Sequence, residues 1–427
     1  MKNFIIYILI IGISYSQATG LSIYGLGEKI DKTDPASISL GNSSFFSGNS
    51  KQISNNAPST FWRSALTRFT IHSGYNFLNI PQHPGQHQQN LTSFSILFPV
   101  GNKKVFGLGL NPLYRINNTA VNDSEFQFVS NSGGNPIAHK NTYYIEGGLS
   151  EVFMAYSQKL TSHFSAGINY SIMFGNQILN DQLFTYDILI NSSYSGGLLI
   201  SEFIDNSDTL YAIAMNGMMT EVNKFHKFSG SSISGEGRYS KNGHELVLNV
   251  LIKGSPQIET TNKITVGNST SVNSFHHSNK KFSSEFGVGY QYKFSNISGI
   301  AFELHNESPF KIPENVAIFN IMPPKETSIH LGSYYQIRNS RIGFWNNFNL
   351  KCGAYMKNLG FSDGDLKDIG VTLGLGLEYL GNTQSVDLAF RVGKKESKVF
   401  IDKNEEYFSF HIGITTGEKW FMKRRRK

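Results

Sequence analysis

The string Ser274-Phe275-His276-His277-Ser278-Asn279 sets a histidine two residues before a serine. An imidazole that takes the hydroxyl proton turns such a serine into a nucleophile toward an acyl ester. That chemistry needs both side chains fixed on one rigid element, and here the string runs through polar residues into Lys280-Lys281 with no alternation. In a chain this rich in serine and asparagine the four residues arise readily by chance, so no catalytic residue is assigned. His83 and His87 are spaced for one face of a helix, but Pro84-Gly85 between them oppose a helix and favour a solvated turn. No metal is expected. There is no Gly-rich phosphate loop ahead of a helix and no cysteine cluster, so no cofactor is indicated. The single cysteine, Cys352, sits in the strand-like NLKCGAY as a small packed residue.

The elements that carry these residues read as β. Phe408, Phe410, Ile412 and Ile414 alternate with Ser409, His411, Gly413 and Thr415 without exception. Val371 to Tyr379 and Phe286 to Phe294 alternate equally cleanly, and Phe164 to Phe174 does so with one fault at Met173. Weaker alternation marks 66–78, 92–99, 104–110, 141–157, 183–191, 208–216, 244–253, 298–305, 327–338, 342–356 and 385–393. One face of these segments is Phe, Leu, Ile, Val and Tyr; the other is glycine, serine, asparagine and occasional charges. A soluble sandwich and a membrane barrel both alternate. Aromatics at 13% and charged residues at only 16%, against roughly 25% charged in soluble domains, favour the barrel. An even count of about 14 antiparallel transmembrane strands is expected.

The termini agree. Lys2, the apolar run Phe4 to Ile13 and Ser16-Gln17-Ala18 form a secretory signal over 1–18, with cleavage expected after Ala18. Residues 19–60 break the alternation yet carry Leu21, Ile23, Leu26, Ile38, Leu40, Phe45 and Phe46, as expected of an N-terminal plug folded inside the lumen. The barrel should span 61–421, closing on the strand of Phe408 to Ile414 with Trp420 or Phe421 as the terminal aromatic read by the barrel-assembly machinery. Residues 422–427 then form a basic periplasmic tail, where the formal charge excess of +7 is concentrated. A basicity so local excludes a nucleic-acid face. Polar stretches 217–243, 254–282 and 306–326 read as extracellular loops, and Gly381-Asn382 as a short periplasmic turn.

The mature N-terminus, TGLSIYGLGEKIDKTDPASISLGNSS…SNNAPSTFW, resembles the plug of the FadL family of outer-membrane transporters for hydrophobic compounds. Gly25, Gly27, Asn55, Asn56 and Pro58 are the residues that match, although Asn56-Ala57-Pro58 departs from that family's Asn-Pro-Ala order. FGLGLNPLYR is similar to its early Gly-rich strands, and GLGLEY…DLAFRVG…EEYFSFHIGITTGEKWF to its divergent branches. The stretch 217–282 matches nothing in it. The resemblance implies passive uptake of a small hydrophobic molecule, fatty-acid-like or aromatic, by a monomer in contact with outer-membrane lipid. It also implies lateral exit through a wall defect, for which Gly107, Gly109, Asn111 and Pro112 are the candidates. The alternatives are a barrel of the same fold that scaffolds or carries exported proteins, and, from the His-x-Ser-Asn string, an outer-membrane lipid hydrolase.

Overall fold

Along the strand Gly364–Tyr379, Ile369, Val371, Leu373 and Leu375 are exposed while Asp368, Gly370, Thr372 and Gly374 are buried. Along His244–Gly254, Leu246, Leu248, Val250 and Ile252 are exposed while Glu245, Val247 and Asn249 are buried. Water would impose the reverse order. Apolar residues outside and carboxylates inside are what a sheet acquires when lipid surrounds it and its lumen holds the polar groups.

The computed structural model describes residues 27–418 apart from 49–52, 81–82, 102, 122–126, 130–136, 192–197, 206–207, 278–281, 309–324, 339–346, 362–363, 380–383 and 398–403. The expected leader and its cleavage site, Gly25, the Gly381-Asn382 turn, Trp420, Phe421 and the basic tail lie outside the described residues. The strands are β1 (Glu28–Lys29), β2 (Thr67–Ile80), β3 (His83–Gly101), β4 (Lys104–Val121), β5 (Gln127–Val129), β6 (Ile137–Lys159) and β7 (Phe164–Asn191). They continue with β8 (Leu198–Asp205), β9 (Asp208–Lys241), β10 (His244–Gly254), β11 (Gln257–Val266), β12 (Ser269–His277) and β13 (Phe282–Lys293). The last six are β14 (Ser298–Glu307), β15 (Lys325–Arg338), β16 (Asn347–Phe361), β17 (Gly364–Tyr379), β18 (Gln384–Ser397) and β19 (Asn404–Glu418).

The wall runs β2-β3-β4-β6-β7-β9-β10, then β13 through β19, and β19 pairs back onto β2 from Glu406↔Asn79 to Glu418↔Thr67. This is a closed antiparallel barrel of 14 strands, as the alternation implies. Closure leaves the wall no free edge inside the bilayer, where unpaired backbone groups are not tolerated. At one end the links are short; Asn242-Gly243, both at positive φ, turn β9 into β10. The long connections all leave from the other end, the extracellular one by that asymmetry.

Two expectations are corrected there. Residues 217–243 are not a loop: β9 runs through them, Ser232–Lys241 paired with β10 in the wall and the rest continuing outward between β7 and β11. Residues 254–282 are largely the β11–β12 hairpin, paired onto outer β9. β7 and β9 run for 28 and 34 residues, about three times the roughly 9–11 that cross a bilayer. Outside the membrane neither face meets lipid, so the polar–apolar alternation fades while the pairing persists. For the same reason 183–191 and 208–216 are the outer parts of β7 and β9, not separate wall strands. The expected turn at His83 to His87 is instead extended β3, with Pro84 absorbed at a register shift opposite Asn79.

Candidate functional site

The most densely bonded region is the lumen, filled by residues 27–48 and 53–66. Asp34 caps a single helical turn, α1 (Pro35–Ile38), accepting from Ser37 N at 2.9 Å with Pro35 at the first helical position. A 3₁₀ turn, Pro58–Arg63, follows, and the wall begins at Thr67. Ile38, Leu40, Phe45, Phe46 and Phe61 are all buried.

The inner segment is seated on glycines. Gly41, at φ 73°, lies against β15 and β16, and a Cβ on Gly332 would come within 2.6 Å of Leu40 O. Cβ atoms on Gly353 and Gly374 would overlap Gly41 and Ser39. Pro58 and Ser59 rest on Gly167, Phe45 and Phe46 on Gly287 and Gly289, and Pro35 on Gly413. The small residues that alternate with apolar ones in the sequence therefore leave room for a second chain segment. Thr372 Oγ1 accepts from Gly41 N at 2.9 Å and donates to Ser39 O at 3.0 Å.

Charge pairing then fixes the segment on all sides. Asp31 meets Lys357 and Arg391, each at 2.6 Å; Lys29 meets Glu307 at 2.5 Å and Glu326 at 2.6 Å. Lys32 reaches Glu151 at 2.7 Å, Glu28 receives Lys395 at 2.9 Å, and Arg63 reaches Glu245 at 2.8 Å. Glu245 also takes Arg238 at 2.5 Å and Lys293 at 2.6 Å. Arg238, 2% exposed at its side chain, donates to Phe45 O at 2.7 Å and Ser59 Oγ at 2.8 Å. Glu303 accepts from Ser43, from Ser44 N at 2.7 Å and from Phe45 N at 3.0 Å. Burial alone would raise the pKa of Asp31, but Lys357 and Arg391 outweigh it and hold the carboxyl well below the ordinary range. Beside the segment lies a cavity of about 200 Å³ with a mixed lining: Lys29, Lys32, Lys253, Glu151, Glu307 and Glu326 on one hand, Phe61, Leu113, Phe153, Met173 and Leu251 on the other.

Of the residues expected to form a plug, Gly27 (φ 97°) approaches Arg115 O. Asn55 reaches His72, Ser93 and Ser95 at 3.3 Å, and its N–H donates to Asp34 at 3.1 Å. The Asn56 amide faces Lys32 O and Thr33 N at 3.2 Å, and Pro58 opens the 3₁₀ turn. The candidate gate residues share β4. Gly107 and Gly109 lie in its paired part, under Phe61 and Phe153. Asn111 donates to Glu151 at 3.1 Å, and the β4–β6 register slips between Pro112 and Tyr114. The β3–β4 ladder ends at Phe94↔Leu110; beyond it β4 pairs with β1, Glu28↔Arg115 and Lys29↔Tyr114. Phe408, Phe410, Ile412 and Ile414 lie on β19, paired with both β18 and β2.

His276 is an exposed residue of β12, not of a loop, and Ser278 lies outside the described residues. Among the described residues no group of three or more His, Cys, Asp or Glu could hold a metal ion. The wall residues Glu245, Glu303, Lys357 and Arg391 were not singled out from sequence. Their only signal is a charge at a lumen-facing position of an alternating strand.

The BamG family model matches residues 1–427. No curated protein matches the sequence. Among solved structures, the chain resembles a Pseudomonas aeruginosa FadL homologue (TM-score 0.57, 9% identity, 91% of this chain and 99% of that one). It also resembles the CymD monoaromatic hydrocarbon channel (0.54, 11%, 91% and 98%) and the P. putida toluene transporter TodX (0.53, 12%, 91% and 99%). At these identities the likeness is one of fold, that of FadL-type outer-membrane barrels.

Proposed function

The chain belongs to the BamG family, and on that premise we propose that it is a permanently plugged outer-membrane barrel serving as a scaffold or carrier for exported proteins. One observation carries the reading: the lumen is filled by a segment ion-paired to strands on every side. A hydrophobic solute gains about 25 cal/mol per Å² by leaving water for an apolar surface. Admitting one here means displacing the segment, which would strand buried charges at several kcal/mol each.

The second reading is a channel for small hydrophobic molecules with lateral exit. The fold of TodX and CymD favours it, as does the β3–β4 seam beyond Leu110, where Asn111 and Pro112 sit. Neither reading includes covalent chemistry; solved neighbours of this fold are described as channels and transporters. In both, a signal cleaved after Ala18 delivers a monomer to the barrel-assembly machinery.

The deciding experiment purifies the barrel from its native membrane in mild detergent. Stoichiometric exported protein, with no hydrophobic compound bound and no uptake of toluene by reconstituted vesicles, is the expected result. Toluene uptake abolished by substituting Pro112 would establish the channel instead.

A further inference from the structure

Outside the barrel, β11 pairs with β9 from Gln257↔Ser229 to Val266↔Thr220, and β12 pairs with β11 from Ile258↔His277 to Val266↔Ser269. The result is a one-layer sheet standing on the mouth; among the described residues β12 pairs with β11 alone, while β13 pairs with β10 and β14. The link Gly267-Asn268 has Gly267 at φ 55°, a two-residue turn that makes Val266 and Ser269 a hydrogen-bonded pair. Alternation then directs the N–H and C=O of Ser271, Asn273 and Phe275 toward β11. It directs those of Thr270, Val272, Ser274 and His276 outward.

Edge strands are ordinarily guarded by lysine, proline, a bulge or brevity. β12 has none of these: Ser269 to His277 is STSVNSFHH, regularly paired, and exposed from Ser269 to His276, Val272 at 59%. Lipid cannot be the occupant, because free backbone groups find no partner in hydrocarbon. A second copy is excluded by symmetry. Two barrels in one membrane are related by an axis along the membrane normal, which leaves both β12 strands running the same way along that normal. Isologous pairing of like edges needs antiparallel strands, and so would turn one barrel upside down.

We propose that the outer edge of β12 takes up an extended segment of another protein as an added strand, with Thr270, Val272, Ser274 and His276 supplying the ladder. This rests on the scaffold reading and names the surface through which it works. Backbone pairing sets affinity, and the uncharged side chains of β12 admit a partner strand of small and β-branched residues.

The test uses the full chain in its native outer membrane with photoreactive benzoylphenylalanine at Thr270 or Ser274, and separately at Phe225 on β9, across β11 from the edge. Cross-links from β12 should map to one short segment of one protein. Val272→Pro removes an outward donor without touching the β11 ladder, and should lower the cross-linked product about tenfold or more. Should that variant fold poorly, Val272→Lys, which keeps the ladder and guards the edge, serves instead. Cross-links that survive both variants, or that map to this chain's own 309–324, overturn the proposal. If Phe225 still captures the same protein while β12 does not, scaffolding stands and only the edge is wrong. If no position captures a protein, the scaffold reading falls with it.

Discussion

The lumen and the outer sheet of this barrel are built on opposite plans. Inside, the ends of the segment are held by pairs such as Asp31–Arg391 and Lys29–Glu326. Outside, β12 offers a row of backbone groups to whatever arrives. The difference teaches where exchange with surroundings takes place: the interior is committed to one partner, its own N-terminus, while the exterior is left uncommitted. Each of four measurements strains one side of that contrast.

Glu245→Ala should have the largest effect, since it takes one carboxylate from Arg63, Arg238 and Lys293 at once. Breaking a buried pair from one side costs about 3–5 kcal/mol. Thermal unfolding of the purified barrel should fall sharply, and protease should reach the inner segment; an unchanged melt would mean the lumen is not committed. Gly353→Val comes next, at about 1–3 kcal/mol for overpacking, because its Cβ takes the space of Gly41. It should unseat the segment without opening the wall, visible as cleavage near residues 49–52 with heat-modifiable mobility retained.

Val272→Pro should move stability by no more than about 0.5 kcal/mol, and a large loss would show that β12 belongs to the folded core after all. Smallest is the response to pH. The Asp31 carboxyl is depressed in the folded state, so its contribution is complete above the unfolded value near ~3.9 and is lost only as pH falls through the lower, folded one. Protease access to the inner segment should therefore stay flat from about pH 5 to 8, and opening near pH 6 would contradict the pairing.

How much of this was legible in the sequence follows from what repeats. The wall was readable because lipid on one face enforces a period of two, as in Val371 to Tyr379; the count of 14 also needed the rule that such barrels close with an even number of strands, because the wall part of β9 lies in a stretch that reads as a loop. The inner segment was readable from Ile38, Leu40, Phe45 and Phe46, apolar residues inside a polar stretch. The pairs that hold it were not: Asp31 and Arg391 are 360 residues apart, and nothing local links them. Gly374 read only as a small residue on the lumen face, since its meaning lies in Ser39, a residue of another element. From 217 to 282 the outer sheet reads as loop, because its two faces share one solvent, which erases the asymmetry that betrays a strand.

The inner segment precedes the first wall strand in the chain yet bonds to β16 and β18 near the end of it. Its seat is thus unfinished until almost the whole wall exists, a topology of very high contact order. During insertion the segment must wait, its charges unpaired, on the inside of a growing sheet. Once β19 joins β2 the segment is ring-locked, and its escape requires opening the wall or unpairing several buried charges together. The endurance of this barrel is therefore a matter of rate as much as equilibrium, set by how seldom that last seam parts.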